Sequence, residues 1–298
     1  MPLAADPRRT IVWAVPQSCL PSTGKHGGSD QSANLQNSSL ASLLTNPTKR
    51  CETVQRPFSL WGCREAILSV KAERHGTILT LTLDRPEKAH AYTKAMLEGI
   101  HHELETHDFS VLVIQSSGDR AFCAGADLND MKNASPVDAR NLLSQAVFDR
   151  IARHKAVSIA AIQGPAVAGG FELALACDLR IAGPRASFSL PEVSLGLIPS
   201  AGGCTRLPEL VGQSRARQII LGGDVLSAET ALTWGLISRI ADAPREAAQK
   251  LAKQVAGYDS QALTMAKTVL RGDSDDRLEL ERLAQTVLYA HRLAKQDS

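Results

Sequence analysis

The sequence has few of the features that mark membrane, metal-binding or nucleic-acid-binding proteins. No apolar run approaches the ~20 residues that a helix needs to span a bilayer, so no membrane association is predicted. The formal net charge of +2 is too small to indicate nucleic acid as a partner. The six cysteines include no C-x-x-C pair and no zinc-type spacing, which predicts no metal site and is typical of reduced thiols in an intracellular protein.

What is present is an ordinary globular composition, with 44% hydrophobic and 21% charged residues in 298. That length allows one domain with an appendage. Residues 1–65 are rich in Ser, Pro, Asn and Gln and lack periodic apolar spacing, so we expect a disordered or targeting extension. The predicted location is cytoplasmic, or the mitochondrial matrix if 1–65 is a transit segment.

Apolar spacing divides the remainder into a core, 66–242, and a helical region, 243–298. In the core, short apolar strands alternate with loops and helices, which predicts an α/β fold with right-handed crossovers. A hairpin is expected around His75, followed by a strand at 111–117 that is buried on both faces.

One long helix of the core is marked by its expected start. Ser135 is placed to cap it and Pro136 to occupy its first turn, since proline lacks the N–H that would be unpaired there. The apolar spacing then predicts that this helix continues to His154.

Two glutamates are the strongest candidates for chemistry. Glu172 follows a glycine turn that leads into an apolar helix, and Glu192 is the one ionisable residue of the stretch SLPEVSLGLIP. A carboxylate among apolar residues is costly to bury, which favours a functional role for Glu192. Acids are also favoured in a first helical turn, so a structural role for Glu172 stays open. As a pair, the two could hold a water and exchange protons with it.

Two glycine-containing loops accompany these acids. The loop AFCAGADL, 121–128, and the Gly169-Gly170 turn each follow a predicted strand, at the edge where α/β proteins bind ligands. Unpaired N–H groups from both loops could converge on a developing oxyanion, as an enolate-type intermediate requires. The alternative is that these glycines only permit tight turns and close packing.

Taken together, the motifs resemble the enoyl-CoA hydratase/isomerase, or crotonase, superfamily. The resemblance covers about 66–297 and is carried, in order, by RPEKAHAY, AFCAGADL, GPAVAGGFELALACD and SLPEVSLGLIPSAGGCTRLPELVG. It implies a crotonase-like ββα superhelix core with a C-terminal helical trimerisation region. It also implies an acyl-CoA thioester substrate, a homotrimer or dimer of trimers, and no cofactor beyond the coenzyme A of the substrate.

The resemblance implies roles for individual residues. Glu172 and Glu192 would be catalytic, and the N–H groups of Ala126 and Gly169 would form the oxyanion hole. The segments that would clasp coenzyme A contribute Lys88, Ala89, Ala91, Ala124, Gly125, Asp127 and Leu128. The implied reaction is reversible addition of water across the 2,3 double bond of a trans-2-enoyl-CoA, giving a 3-hydroxyacyl-CoA.

Some positions differ from the family pattern and keep alternatives open. His90 and Tyr92 stand where the family often has Asn and Leu, and we interpret His90 as a capping or surface substitution, or as an altered pocket residue. The chain ends at Ser298 without the helix that usually closes the site, so the C-terminal region is interpreted as shortened. A double-bond isomerase, another acyl-CoA lyase and a non-catalytic paralogue therefore remain alternatives to the hydratase.

Overall fold

The computed structural model describes residues 69–131, 140, 142–271 and 277–296. The predicted extension, 1–65, lies outside them. The strands of the described part are β1 (Val70–His75), β2 (Ile78–Leu83), β3 (Val111–Ser116), β4 (Val157–Ile162), β5 (Ala166–Val167), β6 (Leu179–Ala182), β7 (Ser187–Ser189), β8 (Leu226–Ser227) and β9 (Arg239–Ile240).

The helices of the described part are α1 (Lys94–Thr106), α2 (Leu128–Met131), α3 (Leu143–Arg153), α4 (Gly169–Leu175), α5 (Gly203–Val211), α6 (Gln213–Ile220), α7 (Ala228–Thr233), α8 (Pro244–Ala256), α9 (Ser260–Arg271) and α10 (Arg277–Gln296). Short 3-10 turns at Pro86–Lys88 and Glu192–Leu195 lie in loops that contain predicted site residues.

The main sheet has the order β1-β2-β3-β4-β6-β9. The predicted hairpin is confirmed: β1 and β2 pair antiparallel, and Gly76, with φ +62°, makes the turn between them. Every other neighbouring pair is parallel. The connections from β2 to β3 and from β3 to β4 pass through α1 and α3, as the predicted α/β alternation requires.

Both faces of this sheet are covered. Val111 to Ile114 of β3 are each at most 1% exposed, which confirms the strand predicted to be buried on both sides. Alternate residues of the strand serve separate cores: Leu112 and Ile114 belong to the larger one, while Val111 and Val113 pack with residues of α8. A smaller sheet of order β5-β7-β8 stands beside the glycine turn.

The predicted helix from Pro136 to His154 is only partly confirmed. Residues 132–139 lie outside the described part, and the helix that ends just before His154 begins at Leu143. Leu142 has φ −58° and ψ 111°, outside the helical region, so a helix cannot run continuously through it. The prediction of one uninterrupted helix is therefore wrong at this residue.

The C-terminal region is helical as predicted, in α8, α9 and α10. Lys267 on α9 is buried, and its ammonium group donates to the carbonyl oxygen of Ala156 at 2.8 Å and to Asp178 at 2.7 Å. No helix of the described residues is long and apolar enough to cross a membrane. The last helix exposes apolar side chains at Leu278, Leu283, Val287, Tyr289 and Leu293.

Candidate active site

The two predicted acids are held by different local structures. Glu172 lies in the first turn of α4, which begins directly after Ala168, whose backbone has φ 52°. Glu192 opens the 3-10 turn that follows Pro191. Both side chains are buried, at 3% exposure for Glu172 and 9% for Glu192. Neither is turned into bulk solvent, which is the arrangement that acid–base chemistry between them requires.

Glu172 has its charge supported by the main chain. Its Oε1 accepts hydrogen bonds from the N–H groups of Ala201 at 2.7 Å and Gly203 at 2.8 Å. Burial raises the pKa of Glu172 above its ordinary value, while these two bonds and the positive charge of Arg206 act in the opposite direction. The two fixed donors hold Oε1 in place, and because the carboxylate is rigid they also fix the direction of Oε2.

Glu192 lacks such support. Its Oε2 is buried and has no hydrogen-bond partner among the described residues. Burial, and after it the negative charge of Glu172, raises the pKa of Glu192 to about 7. The charge of Glu172 therefore influences the titration of Glu192. Near neutral pH, Glu192 can carry a proton and donate it.

The first predicted oxyanion residue, Ala126, lies in a short bridge with Tyr92. The N–H of Tyr92 donates to the carbonyl of Gly125 at 2.8 Å, and the N–H of Asp127 donates to the carbonyl of Tyr92 at 2.8 Å. This parallel pairing uses the groups on either side of Ala126, so the N–H of Ala126 points away from the bridge.

The second predicted oxyanion residue, Gly169, is the first residue of α4, where a helical N–H has no partner within the helix. It lies next to the first loop: a Cβ on Gly125 would be 3.2 Å from the nitrogen of Gly169. Gly170 packs still closer, because a Cβ there would overlap the carbonyl of Cys123. The structure thus brings the two predicted donor loops together, with glycine required at their contact.

The segments predicted to clasp coenzyme A also meet. The N–H of Ala124 donates to the carbonyl of Ala89 at 3.0 Å. Ala124 and Lys88 are exposed, Ala91 is partly buried, and Leu128 is 69% exposed.

Asp127 behaves differently from the rest of that set. Its side chain turns inward, accepts from Arg85 at 3.0 Å and caps the N–H of Asn129 at 2.9 Å. These contacts lower the pKa of Asp127, the backbone bond from Asn129 ahead of the contribution of Arg85. A ligand bound along this loop would therefore meet the main chain of Asp127, because the side chain holds the loop.

Other residues of the site were missed by the sequence argument. The rings of Tyr92 and Phe148 meet edge to face at 5.6 Å, and Ser144 lies close enough to the Tyr92 hydroxyl to lower its pKa. The available signal was the tyrosine itself, at a position where an apolar residue is common in the resembling family. His90 is 1% exposed and its Nδ1 accepts from the N–H of Arg85 at 3.1 Å, so the surface interpretation of His90 is wrong and the capping one agrees with this bond.

An α/β fold in which two buried carboxylates accompany a glycine-lined pair of loops is the arrangement expected of an enzyme that uses acid–base chemistry. The model of the enoyl-CoA hydratase/isomerase family matches residues 73–298, and the chain belongs to this family. It is 34% identical over 226 residues to the mitochondrial enoyl-CoA hydratase of Pongo abelii, covering 74% of this chain and 78% of that one.

Further relatives agree. The 2,3-dehydroadipyl-CoA hydratase of Escherichia coli is 36% identical over 229 residues, with 75% of this chain and 90% of that one covered. Among solved structures, the enoyl-CoA hydratase of Thermoplasma volcanium has a TM-score of 0.70 at 30% identity, covering 74% and 92% of the two chains. A Thermobifida fusca relative solved in complex with CoA has a TM-score of 0.71 at 29% identity, covering 78% and 97%. The predicted crotonase-like fold is confirmed.

Proposed function

We propose that this protein is an enoyl-CoA hydratase that adds water reversibly across the 2,3 double bond of a trans-2-enoyl-CoA to give a 3-hydroxyacyl-CoA. The observation that carries the proposal is the pairing of two buried carboxylates with unequal support, Glu172 bonded by two main-chain N–H groups and Glu192 with a free buried oxygen. Family members named hydratases, at 33–36% identity, support the same reaction class.

The thioester oxygen of the substrate would accept hydrogen bonds from the N–H groups of Ala126 and Gly169. As water attacks C3, the electrons of the double bond move toward the thioester and an enolate forms on that oxygen. Donors already fixed by the bridge at Ala126 and by the start of α4 stabilise this charge without reorganising. The positive end of the α4 dipole adds to the effect.

The two acids would divide the proton transfers. Ionised Glu172 orients the water and takes one of its protons as the oxygen bonds to C3, and protonated Glu192 gives its proton to C2 as the thioester carbonyl re-forms. The pKa of Glu192 near 7 matches a group that must start protonated, and the main-chain donors on Glu172 favour its starting charge. A proton passed from Glu172 to Glu192 through the next water restores both groups.

The coenzyme A portion would lie along the segments that include Lys88, Ala89, Ala91 and Ala124 to Leu128, with Gly125 and Asp127 presenting main chain. The contact between the carbonyl of Ala89 and the N–H of Ala124 supports a single cleft. A Thermobifida fusca relative solved with acetoacetyl-CoA supports a thioester ligand for the family. Because the thioester accepts the electrons, the proposed reaction uses no separate cofactor.

Assembly and location are part of the proposal. The exposed apolar side chains of α10 support burial of this helix against other subunits, in a homotrimer or a dimer of trimers. We place the protein in the cytoplasm, with the mitochondrial matrix as the alternative if 1–65 is a transit segment. The relatives include both mitochondrial and bacterial enzymes.

The experiment is a hydration assay on purified protein with trans-2-enoyl-CoA thioesters of increasing chain length. Hydration removes the conjugated thioester absorbance and yields a 3-hydroxyacyl-CoA, whereas isomerisation moves the double bond, and product chromatography separates the two. The matched controls are Glu172→Gln and Glu192→Gln. A product with a shifted double bond would assign the isomerase alternative, and CoA binding without turnover would assign the non-catalytic one.

A further inference from the structure

Tyr92 contacts both of the proposed oxyanion segments. Its main chain brackets Ala126, since it donates to the carbonyl of Gly125 and accepts from the N–H of Asp127, both at 2.8 Å. These two bonds determine where the N–H of Ala126 points.

The side chain of Tyr92 reaches the other donor. A Cβ built on Gly169 would overlap the Tyr92 hydroxyl and lie 2.8 Å from Cζ and 2.9 Å from Cε1. The ring therefore occupies the space that a side chain at Gly169 would need. One residue thus touches the loop of the first donor through its backbone and the second donor through its ring.

The ring is itself held in place. It is 7% exposed, meets the ring of Phe148 at an interplanar angle of 86°, and has Ser144 beside its hydroxyl. Both of these residues lie on α3, so the ring cannot rotate away from Gly169 without losing its buried contact with Phe148. Packing of the Tyr92 ring against α3 therefore holds it in contact with Gly169.

The hydroxyl also lies within the electrostatic influence of the acids. Burial, then Cys123 and Glu172, and to a smaller extent Glu192, raise the pKa of Tyr92 above its ordinary value, while the nearby Ser144 lowers it. Tyr92 is consequently neutral at any pH at which the protein would work, and it adds no charge to the site.

We infer that Tyr92 is a positioning residue that sets the separation and direction of the two oxyanion donors, Ala126 through its main chain and Gly169 through its ring. This inference rests on the proposed function. A shorter side chain would keep the two main-chain bonds but leave a gap against Gly169, and the start of α4 could then shift. A misplacement of about 1 Å at such a site can cost about 10²-fold in rate.

The experiment compares Tyr92→Phe, Tyr92→Leu and Ser144→Ala with the unchanged protein. Each is titrated with acetoacetyl-CoA, whose enolate absorbance reports how well the thioester oxygen is stabilised, and with CoA alone. We expect Tyr92→Leu to lose the enolate band and about 10²-fold in kcat while CoA binding stays within about threefold. Tyr92→Phe keeps the ring and should keep most of both signals, and Ser144→Ala, which leaves Tyr92 itself unchanged, should lose no more than Tyr92→Phe.

Phe109→Leu is the matched control, because Phe109 is also a buried aromatic residue but stacks on His154 at the opposite end of β3. It should lower thermal stability and leave the enolate band unchanged. A Tyr92→Leu protein that is folded and keeps the band would overturn the inference. If the unchanged protein binds acetoacetyl-CoA without any enolate band, the oxyanion site of the proposed function fails instead.

Discussion

Glu172 and Glu192 are both buried, but Oε1 of Glu172 accepts two main-chain N–H groups whereas Oε2 of Glu192 accepts none among the described residues. This asymmetry makes two chemically identical side chains unequal. The bonded carboxylate of Glu172 is the more readily ionised of the two, and the carboxylate of Glu192, whose Oε2 has no such donors, more readily holds a proton. The proposed division of the proton transfers follows from it.

The first prediction concerns turnover. Glu192→Gln keeps the size of the side chain but cannot donate an acidic proton, so we expect hydration to slow by about 10²–10⁴-fold. Glu172→Gln should cause a loss in the same range, and the double variant should be little slower than either single one because the acids act as a unit. Enoyl-CoA hydration followed by absorbance measures this, with circular dichroism as the check on folding. Turnover within about tenfold of the unchanged protein would remove Glu192 from the mechanism.

The second prediction concerns the pH profile of the reaction. A general acid must be protonated, and the pKa of Glu192 is about 7, so kcat/KM should fall as the pH rises through that value. A fall on the acid side should lie above pH 4.5, the ordinary value for glutamate, because the pKa of Glu172 is raised as well. The two apparent pKa values of this profile describe the coupled pair of glutamates and not either residue alone. Rates from about pH 5 to about pH 9 test this, and a rate that climbs steadily with pH is the contrary result.

The third prediction concerns stability. The pKa of Glu192 is higher in the folded protein, about 7, than the ordinary 4.5, so its neutral form favours folding at low pH and this contribution disappears as the pH rises through about 7. Glu192→Gln has no charge to bury. The variant should therefore gain stability relative to the unchanged protein between about pH 5 and about pH 8, by an amount on the order of 1–3 kcal/mol. Denaturant unfolding at several pH values measures the difference in the free energy of unfolding between the two proteins. A difference that does not change with pH would mean that Glu192 is solvated and contradict the prediction.

Local chemistry explains why the sequence predicted so much of this site. Gly169 and Gly170 mark a turn that only glycine can make at such close approach, and Glu192 is conspicuous in an apolar stretch. The strand at 111–117 is continuous and apolar because both of its faces are covered. Each of these signals lies within a few residues of the feature that it predicts.

The parts that were missed depend on contacts between distant segments. The N–H groups of Ala201 and Gly203 reach Glu172 only because α5 begins beside α4 in the folded chain. The inward turn of Asp127 is likewise set by Arg85, which stands on another loop. Such contacts leave no periodic pattern in the sequence.

The fourth prediction concerns the glycine contact between the two loops. In Gly170→Ala the new Cβ would overlap the carbonyl oxygen of Cys123 and lie 2.6 Å from its carbonyl carbon, and these are backbone atoms that cannot turn aside. We expect a loss of about 3 kcal/mol or a failure to fold. Gly183→Ala is the matched control, since its Cβ would have its nearest neighbour at 3.4 Å, an ordinary contact. Thermal unfolding of both variants measures the contrast, and equal effects would contradict the close approach.

The fifth prediction concerns the anchor of the C-terminal helices. Lys267 of α9 is buried and ion-paired at 2.7 Å with Asp178, which also accepts from the N–H and the hydroxyl of Ser158. Lys267→Met leaves that carboxylate without its cation, and because Asp178 is itself partly exposed we expect a loss of about 2–3 kcal/mol.

The control for this anchor is Lys155→Ala, which breaks an ion pair at 2.7 Å with Asp108 in which both side chains are well exposed, and it should have a much smaller effect. Adding Asp178→Asn to Lys267→Met should recover part of the loss, since no unpaired charge then remains. Urea unfolding of the single and double variants gives the coupling energy. Strictly additive losses would mean that the Lys267 ammonium group contributes through its bond to the carbonyl of Ala156 and not through its pairing with Asp178.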